Sequence, residues 1–243
     1  MTIPTLEFPK FNMVLPVDKI EVKYRPMVQR DEKILLIAKE SNEPSDILGA
    51  IKQVVQNCLL PDDKLIPDTN NWSLIDLEWA FIQLRSTSVS NVSKVSYIDG
   101  EDQEKRDFDI DLNKIEVKLP DPGKTDYIPL NIDVDEHITI KLRYPPATLY
   151  TNKEFLTSEG EEAVAKLIAA CIKAIVVDGK STTDFTFVEA QEFTESLPIP
   201  IYQKLTAFVS DLPHLHYEIK YTNNEEHERI ITLSTLNDFF TFV

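Results

Sequence analysis

Cysteine and glycine are scarce in this sequence of 243 residues, and it contains no long apolar run. Its two cysteines, Cys58 and Cys171, stand among aliphatic residues, so we expect reduced, buried thiols and no disulfide framework. Five isolated glycines provide no glycine-rich phosphate loop, which excludes nucleotide binding by that route. No segment reaches the ~20 apolar residues that cross a bilayer, and the first residues lack the basic start of a signal peptide. We therefore expect a cytoplasmic protein with no membrane partner.

Basic residues are also few, since 25 Lys and Arg stand against 41 Asp and Glu, for a net charge of −16. Such a surface repels phosphate groups, so nucleic acid is not expected as a direct partner. The acidity is better interpreted as a source of solubility or as complementarity to a basic protein. With 42% apolar residues, a chain of this length can bury a sizeable core as one domain or two packed lobes.

The most suggestive set of carboxylates does not have the pattern of a metal loop. Asp107, Asp109 and Asp111 alternate with apolar residues, which in a strand places the three acids on one face. A calcium loop needs a glycine turn and a distal bidentate carboxylate, whereas this stretch continues as a strand. We interpret it as a half-solvated strand.

Three histidines near the end of the sequence, His214, His216 and His227, are the other candidate metal ligands. No cysteine lies near them and their spacing is not that of a helical zinc motif, so surface histidines on a hairpin are the simpler interpretation. No serine has a nucleophile-elbow context, and a triad formed only in three dimensions stays open. We predict no catalytic, cofactor-binding or metal-binding residue, and no enzyme.

Apolar periodicity in the first third of the chain predicts a β-hairpin over residues 11–24, followed by three helices. Residues 27–41 are rich in helix formers, and the apolar run 34–38 predicts a core helix buried on more than one side. A helix over 45–58 has one apolar stripe. A helix over 73–85 has two stripes, and it therefore needs two neighbours.

The remaining sequence alternates between strand and helix patterns. A helix over residues 161–177 carries the stripe Val164, Ile168, Cys171 and Ile175, and Asp178-Gly179 ends it. Strands are predicted at 92–97, 106–112, 115–119, 127–132, 137–144, 217–221 and 229–233, and further helices at 187–195, 200–212 and 235–240.

These elements predict an α+β fold in which amphipathic helix pairs pack with antiparallel β-hairpins. We expect an N-terminal lobe over residues 1–120, a central strand pair over 121–150 and a C-terminal lobe over 151–243. Residues 50–55 are echoed by residues 171–176, which leads to a further hypothesis of two pseudo-repeated lobes around a central antiparallel sheet.

Surplus apolar surface indicates a protein-binding site. The helices over 45–58 and 73–85 carry more apolar positions than a lobe of this size covers easily, and aromatic residues cluster at the end of the sequence. Trp79 and the terminal aromatics also fit a core role, and both interpretations stay open. The candidate interface residues are Leu48, Val55, Ile75, Trp79, Ile82, Phe239, Phe240 and Phe242.

Several segments, in this order, resemble the baseplate hub and hub-assembly proteins of T-even-type contractile-tail phages. The resemblance rests on residues 15–26, 31–41, 46–58, 77–88, 195–198 and 233–240. It implies a non-enzymatic tail protein that helps to build the central hub of the baseplate, in the virion or as a chaperone-like assembly factor in the host cytoplasm. The implied partners are other hub or tail proteins, or a second copy of the chain.

One departure from the resemblance concerns metal binding. Some members of the wider group carry cysteine pairs at two hairpin tips, as zinc ribbons do, whereas the tips here, residues 98–102 and 222–226, have none. The resemblance therefore implies no metal site in this chain. Two other classes stay open from the residues alone: an acidic hydrolase or metal-dependent enzyme whose site is not visible in spacing, and an acidic inhibitor of a host protein.

Overall fold

The computed structural model describes residues 7–41, 43–61, 68–120 and 131–240. The chain divides into two compact units. Unit 1 comprises Met1–Thr69, Ile75–Lys118 and His214–Val243, and unit 2 comprises Asn70–Leu74 and Leu119–Pro213. The units do not follow the boundaries expected at residues 120 and 150, because the last strands belong with the first part of the chain.

Eleven strands and eight α-helices form within the described residues, which agrees with the α+β class. In chain order they are β1 (Phe11–Val14), β2 (Glu21–Tyr24), α1 (Gln29–Ser41), α2 (Pro44–Cys58), α3 (Leu74–Ser88), β3 (Val92–Ile98), β4 (Lys105–Asp111), β5 (Glu116–Lys118), β6 (Asn131–Asp133), β7 (Ile138–Leu142), α4 (Lys153–Leu156), α5 (Gly160–Cys171), β8 (Ile172–Val177), β9 (Lys180–Thr182), α6 (Phe187–Glu195), α7 (Ile199–Ser210), β10 (His214–Thr222), β11 (Glu228–Leu233) and α8 (Leu236–Phe239). In this described part of the chain, no helix has the length and apolar character needed to cross a membrane.

Unit 1 combines the first three helices with antiparallel strands. β1 pairs with β2, β3 pairs with β4, and β10 lies between β11 and β5. Helix α2 begins at Pro44, where a missing N–H costs nothing, and its predicted stripe is confirmed because Ile51, Val54 and Cys58 are buried. Both stripes of α3 are also largely buried, as its two-sided apolar pattern requires.

Unit 2 has a four-stranded antiparallel sheet in the order β6-β7-β8-β9. Its core joins this sheet to α5, α6 and α7 through a cluster of aliphatic and aromatic side chains, among them Ile140, Ile168 and Leu205, which are fully buried. Helix α6 occupies the predicted residues 187–195 because Thr186 and Glu189 form a reciprocal capping box at its start. The predicted strand 127–132 is described only from residue 131 onward.

The predicted helix over residues 161–177 is wrong in its second half. The helix ends at Cys171, and β8 pairs with β7 and β9 instead of continuing the helical stripe. The run of Ile and Val after Cys171 favours a strand, because β-branched side chains lose less freedom there. Asp178 and Gly179 then form a hairpin turn with φ of 48° and 78°, the positive values that Asp-Gly turns adopt.

This strand also removes the basis of the pseudo-repeat. Residues 50–55 lie in α2, whereas residues 172–176 of the matching segment lie in β8. The two segments share an apolar pattern but adopt different secondary structures, so the local similarity is not a structural repeat.

Candidate interaction surface

Helix α1 presents apolar side chains to solvent. Its first turn carries Asp31 and Glu32 and its last turn carries Lys39, and charges in this order stabilise the helix by interacting favourably with its dipole. It contacts α2, yet Asp31 is its only buried residue, while Leu36 and Ile37 are 50% and 58% exposed. The prediction of a core helix is therefore wrong: its apolar run extends around the helix beyond the side that the described chain covers.

A groove with a volume of about 630 Å³ lies beside this exposed face, within unit 1. Side chains of α1, α3 and β3 form its walls together with Phe240, which contacts Phe81 edge to face at a ring-centroid distance of 5.7 Å. We call it the α1 groove and define it by Leu35, Leu36, Phe81, Arg85, Val89 and Phe240. An apolar concavity of this size on an otherwise acidic protein is a candidate docking site.

The charged residues of the α1 groove are mostly basic. Lys39, Arg85 and Lys94 line it with one acid, Glu32. Among the described residues, Nη1 of Arg85 is buried and has no hydrogen-bond partner. Burial lowers the pKa of Arg85, and the nearby charge of Glu32 acts in the opposite direction. The groove is thus lined by a desolvated guanidinium with one unsatisfied hydrogen-bond donor among the described residues.

A buried ion pair holds the start of α1 in place. Nη1 of Arg25 lies 2.7 Å from Oδ2 of Asp31, and Nη2 of Arg25 donates to the carbonyl oxygen of Asn57 at the end of α2. Burial alone would raise the pKa of Asp31, but hydrogen bonds from Arg25 and from the N–H of Val28 outweigh it and lower the pKa. This network fixes the position from which α1 projects its apolar face.

Cys58 lies against the same ion pair rather than in a purely apolar environment. Its Sγ is 3.7 Å from Oδ2 of Asp31. Burial, followed by the charge of Asp31, raises the pKa of the Cys58 thiol to about 12, and burial raises that of Cys171 to about 12. Both thiols are free and buried, as expected from the sequence.

The structure divides the predicted interface residues into two groups. Four are at most 3% exposed and form part of the core: Val55, Ile75, Ile82 and Phe239. The expectation of an exposed interface fails for Val55, Ile75 and Ile82, because the rest of the chain covers them. For Phe239, burial agrees with the core role that was left open for the terminal aromatics. Three are partly exposed, namely Leu48, Trp79 and Phe240, and for them an interface role stays a prediction. Phe242 lies outside the described residues.

Glu78 is a partly buried carboxylate that sequence reasoning missed. Burial raises its pKa to about 8, the N–H of Leu236 at the start of α8 acts against this by donating to it, and the charge of Asp238 raises the pKa further. A signal was present in the sequence, because Glu78 is spaced three and four residues from Ile75 and Ile82 on the same helical face.

The tips of the β3–β4 and β10–β11 hairpins meet through polar contacts. The N–H of Asn224 donates to Oδ2 of Asp102 at 2.9 Å, and Nδ2 of Asn223 donates to Oε2 of Glu101 at 2.6 Å. In each of these two hydrogen bonds the partners are 122 positions apart in the sequence, so the contact joins distant parts of unit 1.

An ionic and aromatic layer supports these tips. The hydroxyl of Tyr221 donates to the fully buried Asp99, and the guanidinium of Arg106 lies 5.3 Å from the centre of the Tyr221 ring. Arg106 also pairs with Asp102, and this hydrogen bond lowers the pKa of Asp102. Hydrogen bonds and ion pairs therefore connect two tips that contain no thiol.

Among the described residues, one group has the proximity that a metal ion requires: Glu101, Glu225 and His227, whose ligand atoms lie within 4.8 Å of one another. We call it the tip cluster. All three are exposed, and Nδ1 of His227 is 3.0 Å from Glu101, a contact that lowers the pKa of this carboxyl. His214 and His216 face β5 residues in the sheet and do not join the cluster, so the three histidines form no common site.

The comparisons with known proteins give one match. A family model described as T4 bacteriophage base plate protein matches residues 8–241. Searches of curated proteins and of solved structures gave no match. An α+β protein with an exposed apolar helix face fits the class of structural proteins that assemble with others. The match spans nearly the whole chain, so the protein belongs to the T4-type phage baseplate family, as its resemblance predicted.

Proposed function

We propose that the protein works without catalysis in building the central hub of the baseplate, as a hub component or as an assembly factor. The observation that carries this proposal is the family match over residues 8–241. A protein of this kind functions by binding other baseplate proteins, either as an assembly factor in the host cytoplasm or as a component of the finished baseplate.

The exposed face of α1 supports a binding role. Leu36 and Ile37 are half or more exposed on a helix whose other apolar residues are only half-buried. Exposed apolar patches next to a groove are typical of protein-protein interfaces, where a partner removes them from water. The acidic remainder of the surface keeps the free protein soluble until the partner binds.

The main buried titratable groups support a non-enzymatic role. Asp31 is engaged by Arg25, Asp99 by Tyr221, and Glu78 by the start of α8, so each has a partner within the fold. The two other classes, an acidic hydrolase or metal-dependent enzyme and an acidic host-protein inhibitor, are not favoured by any specific contact among the described residues.

Deletion of the gene tests the proposal. We expect infected cells to accumulate tail proteins without completed baseplates, and complementation in trans to restore them. Mass spectrometry of purified wild-type tails then separates the two roles, since a hub component remains in the particle and an assembly factor does not. Normal phage yield from the deletion would refute the proposal.

A further inference from the structure

The α1 groove has the dimensions of a site for a few side chains. Its volume of about 630 Å³ falls in the range of ~300–1,000 Å³ that is usual for binding pockets. Leu35, Leu36 and Phe81 supply apolar contact area. A peptide segment that buries two or three apolar side chains there would also remove Leu36, now 50% exposed, from water.

Arg85 determines the chemistry that such a segment needs. Its buried Nη1 lacks a hydrogen-bond partner among the described residues, which costs free energy in the unbound protein. Because Nη1 is closed to solvent, the guanidinium must turn towards the groove before a carboxylate of the occupant can accept from it and neutralise its charge. Lys39 and Lys94 line the same groove. Three basic residues line the groove against one acid, Glu32, so the charge that would balance them is negative.

The net charge restricts the occupant further. A chain of charge −16 repels a strongly acidic tract, and a second copy would bring the same charge. A segment with one or two carboxylates among apolar residues avoids this repulsion and still satisfies Arg85. Another baseplate protein of lower negative charge therefore fits better than self-association.

We propose that the α1 groove binds an apolar segment of another baseplate protein, and that a carboxylate of this segment pairs with Arg85. This inference rests on the proposed function, because it assigns the partner contact of an assembling baseplate protein to a particular surface. Arg85 serves as a specificity-determining residue and Leu36 as an apolar contact.

The replacement Arg85→Met separates binding from folding. Methionine keeps an unbranched apolar side chain and removes the donor that has no partner, so the isolated variant should unfold at the same temperature as wild type or higher. Loss of a charge-assisted hydrogen bond should weaken partner binding by about tenfold or more. Completed baseplates should fall accordingly in complementation of the deletion strain.

Leu36→Asp provides a second variant on an exposed position, with Ile230→Asp as its matched control. Ile230 is 62% exposed on β11 and does not line the groove. We expect Leu36→Asp to stay folded by circular dichroism and to lose baseplate assembly, while Ile230→Asp assembles normally. Normal assembly with both Arg85→Met and Leu36→Asp, in a strain where the deletion blocks assembly, would overturn the groove assignment and leave the proposed function intact.

Photo-crosslinking identifies the occupant. A benzophenone amino acid at position 36 of the full chain, irradiated in infected cells, should crosslink to a peptide of another phage baseplate protein that contains Asp or Glu among apolar residues. Replacing that carboxylate by Lys should block assembly, and Arg85→Glu should restore it. Crosslinks only to a second copy, to a basic segment or to no phage protein would refute the proposal, whereas a deletion without effect would instead refute the proposed function.

Discussion

Glu78→Gln should stabilise unit 1 near neutral pH. The carboxyl of Glu78 has a pKa of about 8 in the folded protein against an ordinary value of 4.5, chiefly because of burial. A raised pKa means that the folded state binds the proton more tightly. The contribution of the protonated group to stability is therefore complete below pH 4.5 and is lost as the pH rises towards 8. Glutamine carries no charge and still offers an oxygen to the N–H of Leu236.

The magnitude follows from the two pKa values. Each pH unit between them costs about 1.36 kcal/mol. At pH 7 Glu78 is mostly protonated in the folded protein but ionised in the unfolded chain, and this difference costs about 3 kcal/mol of stability. At pH 5 the cost falls to about 1 kcal/mol by the same relation. The difference in unfolding free energy between Glu78→Gln and wild type should therefore grow by about 2 kcal/mol between pH 5 and pH 7.

Urea unfolding at several pH values, followed by circular dichroism, measures this difference. Glu40→Gln is the matched control, because Glu40 is an exposed glutamate of α1 and its replacement removes one charge from the same unit. The other titratable groups change the unfolding free energy with pH equally in wild type and variant, so their contributions cancel in the difference. If the stability curves of Glu78→Gln and wild type run parallel from pH 5 to pH 7, the assignment of a raised pKa to Glu78 is refuted.

Three further predictions concern the ion pair, the thiols and the hairpin tips. Asp31→Ala should destabilise the protein by about 3–5 kcal/mol in urea unfolding, because it leaves Arg25 buried without its carboxylate. This loss should shrink on acidification, since the pKa of Asp31 is lowered and its contribution disappears as the pH falls through that pKa. Cys58 and Cys171 should label slowly in the native protein and fully in denaturant, and Cys171→Ser should cost about 1–3 kcal/mol through a buried hydroxyl, so fast native labelling would contradict their burial. Elemental analysis after dialysis should find no stoichiometric zinc, because the tip cluster is exposed, has no thiolate, and its Glu101 already pairs with His227; one retained zinc per chain would show that the cluster binds metal.

Local sequence signals predicted most of the secondary structure. The period-two alternation of residues 11–24 gave the first hairpin, and Pro44 and the Thr186–Glu189 box marked helix starts where they occur. These signals succeed because a turn, a cap or a stripe depends on residues a few positions apart. The helix predicted from the stripe through Cys171 and Ile175 was wrong in its second half, because the same spacing also fits a helix followed by a strand.

Burial and the candidate site depended on partners that the sequence places far apart. The run over residues 34–38 is as apolar as a core helix, yet the described chain covers only part of its circumference and leaves Leu36 exposed. The α1 groove combines α1, α3, β3 and Phe240, which no single periodicity connects. The position of Arg25 against Asp31 and Cys58 likewise arises only once α2 has packed beside α1.

The order in which the chain is synthesised bears on when unit 1 is complete. Strand β5 pairs with β10, where Glu116 lies opposite His216, 100 residues later. At ~5–20 residues per second, a ribosome needs several seconds to tens of seconds to make the intervening segment. All of unit 2 except Asn70–Leu74 is synthesised during this time, and β5 has no β10 to pair with until it is complete. Nascent chains stalled before residue 214 should therefore be more sensitive to proteolysis in residues 75–118 than in unit 2.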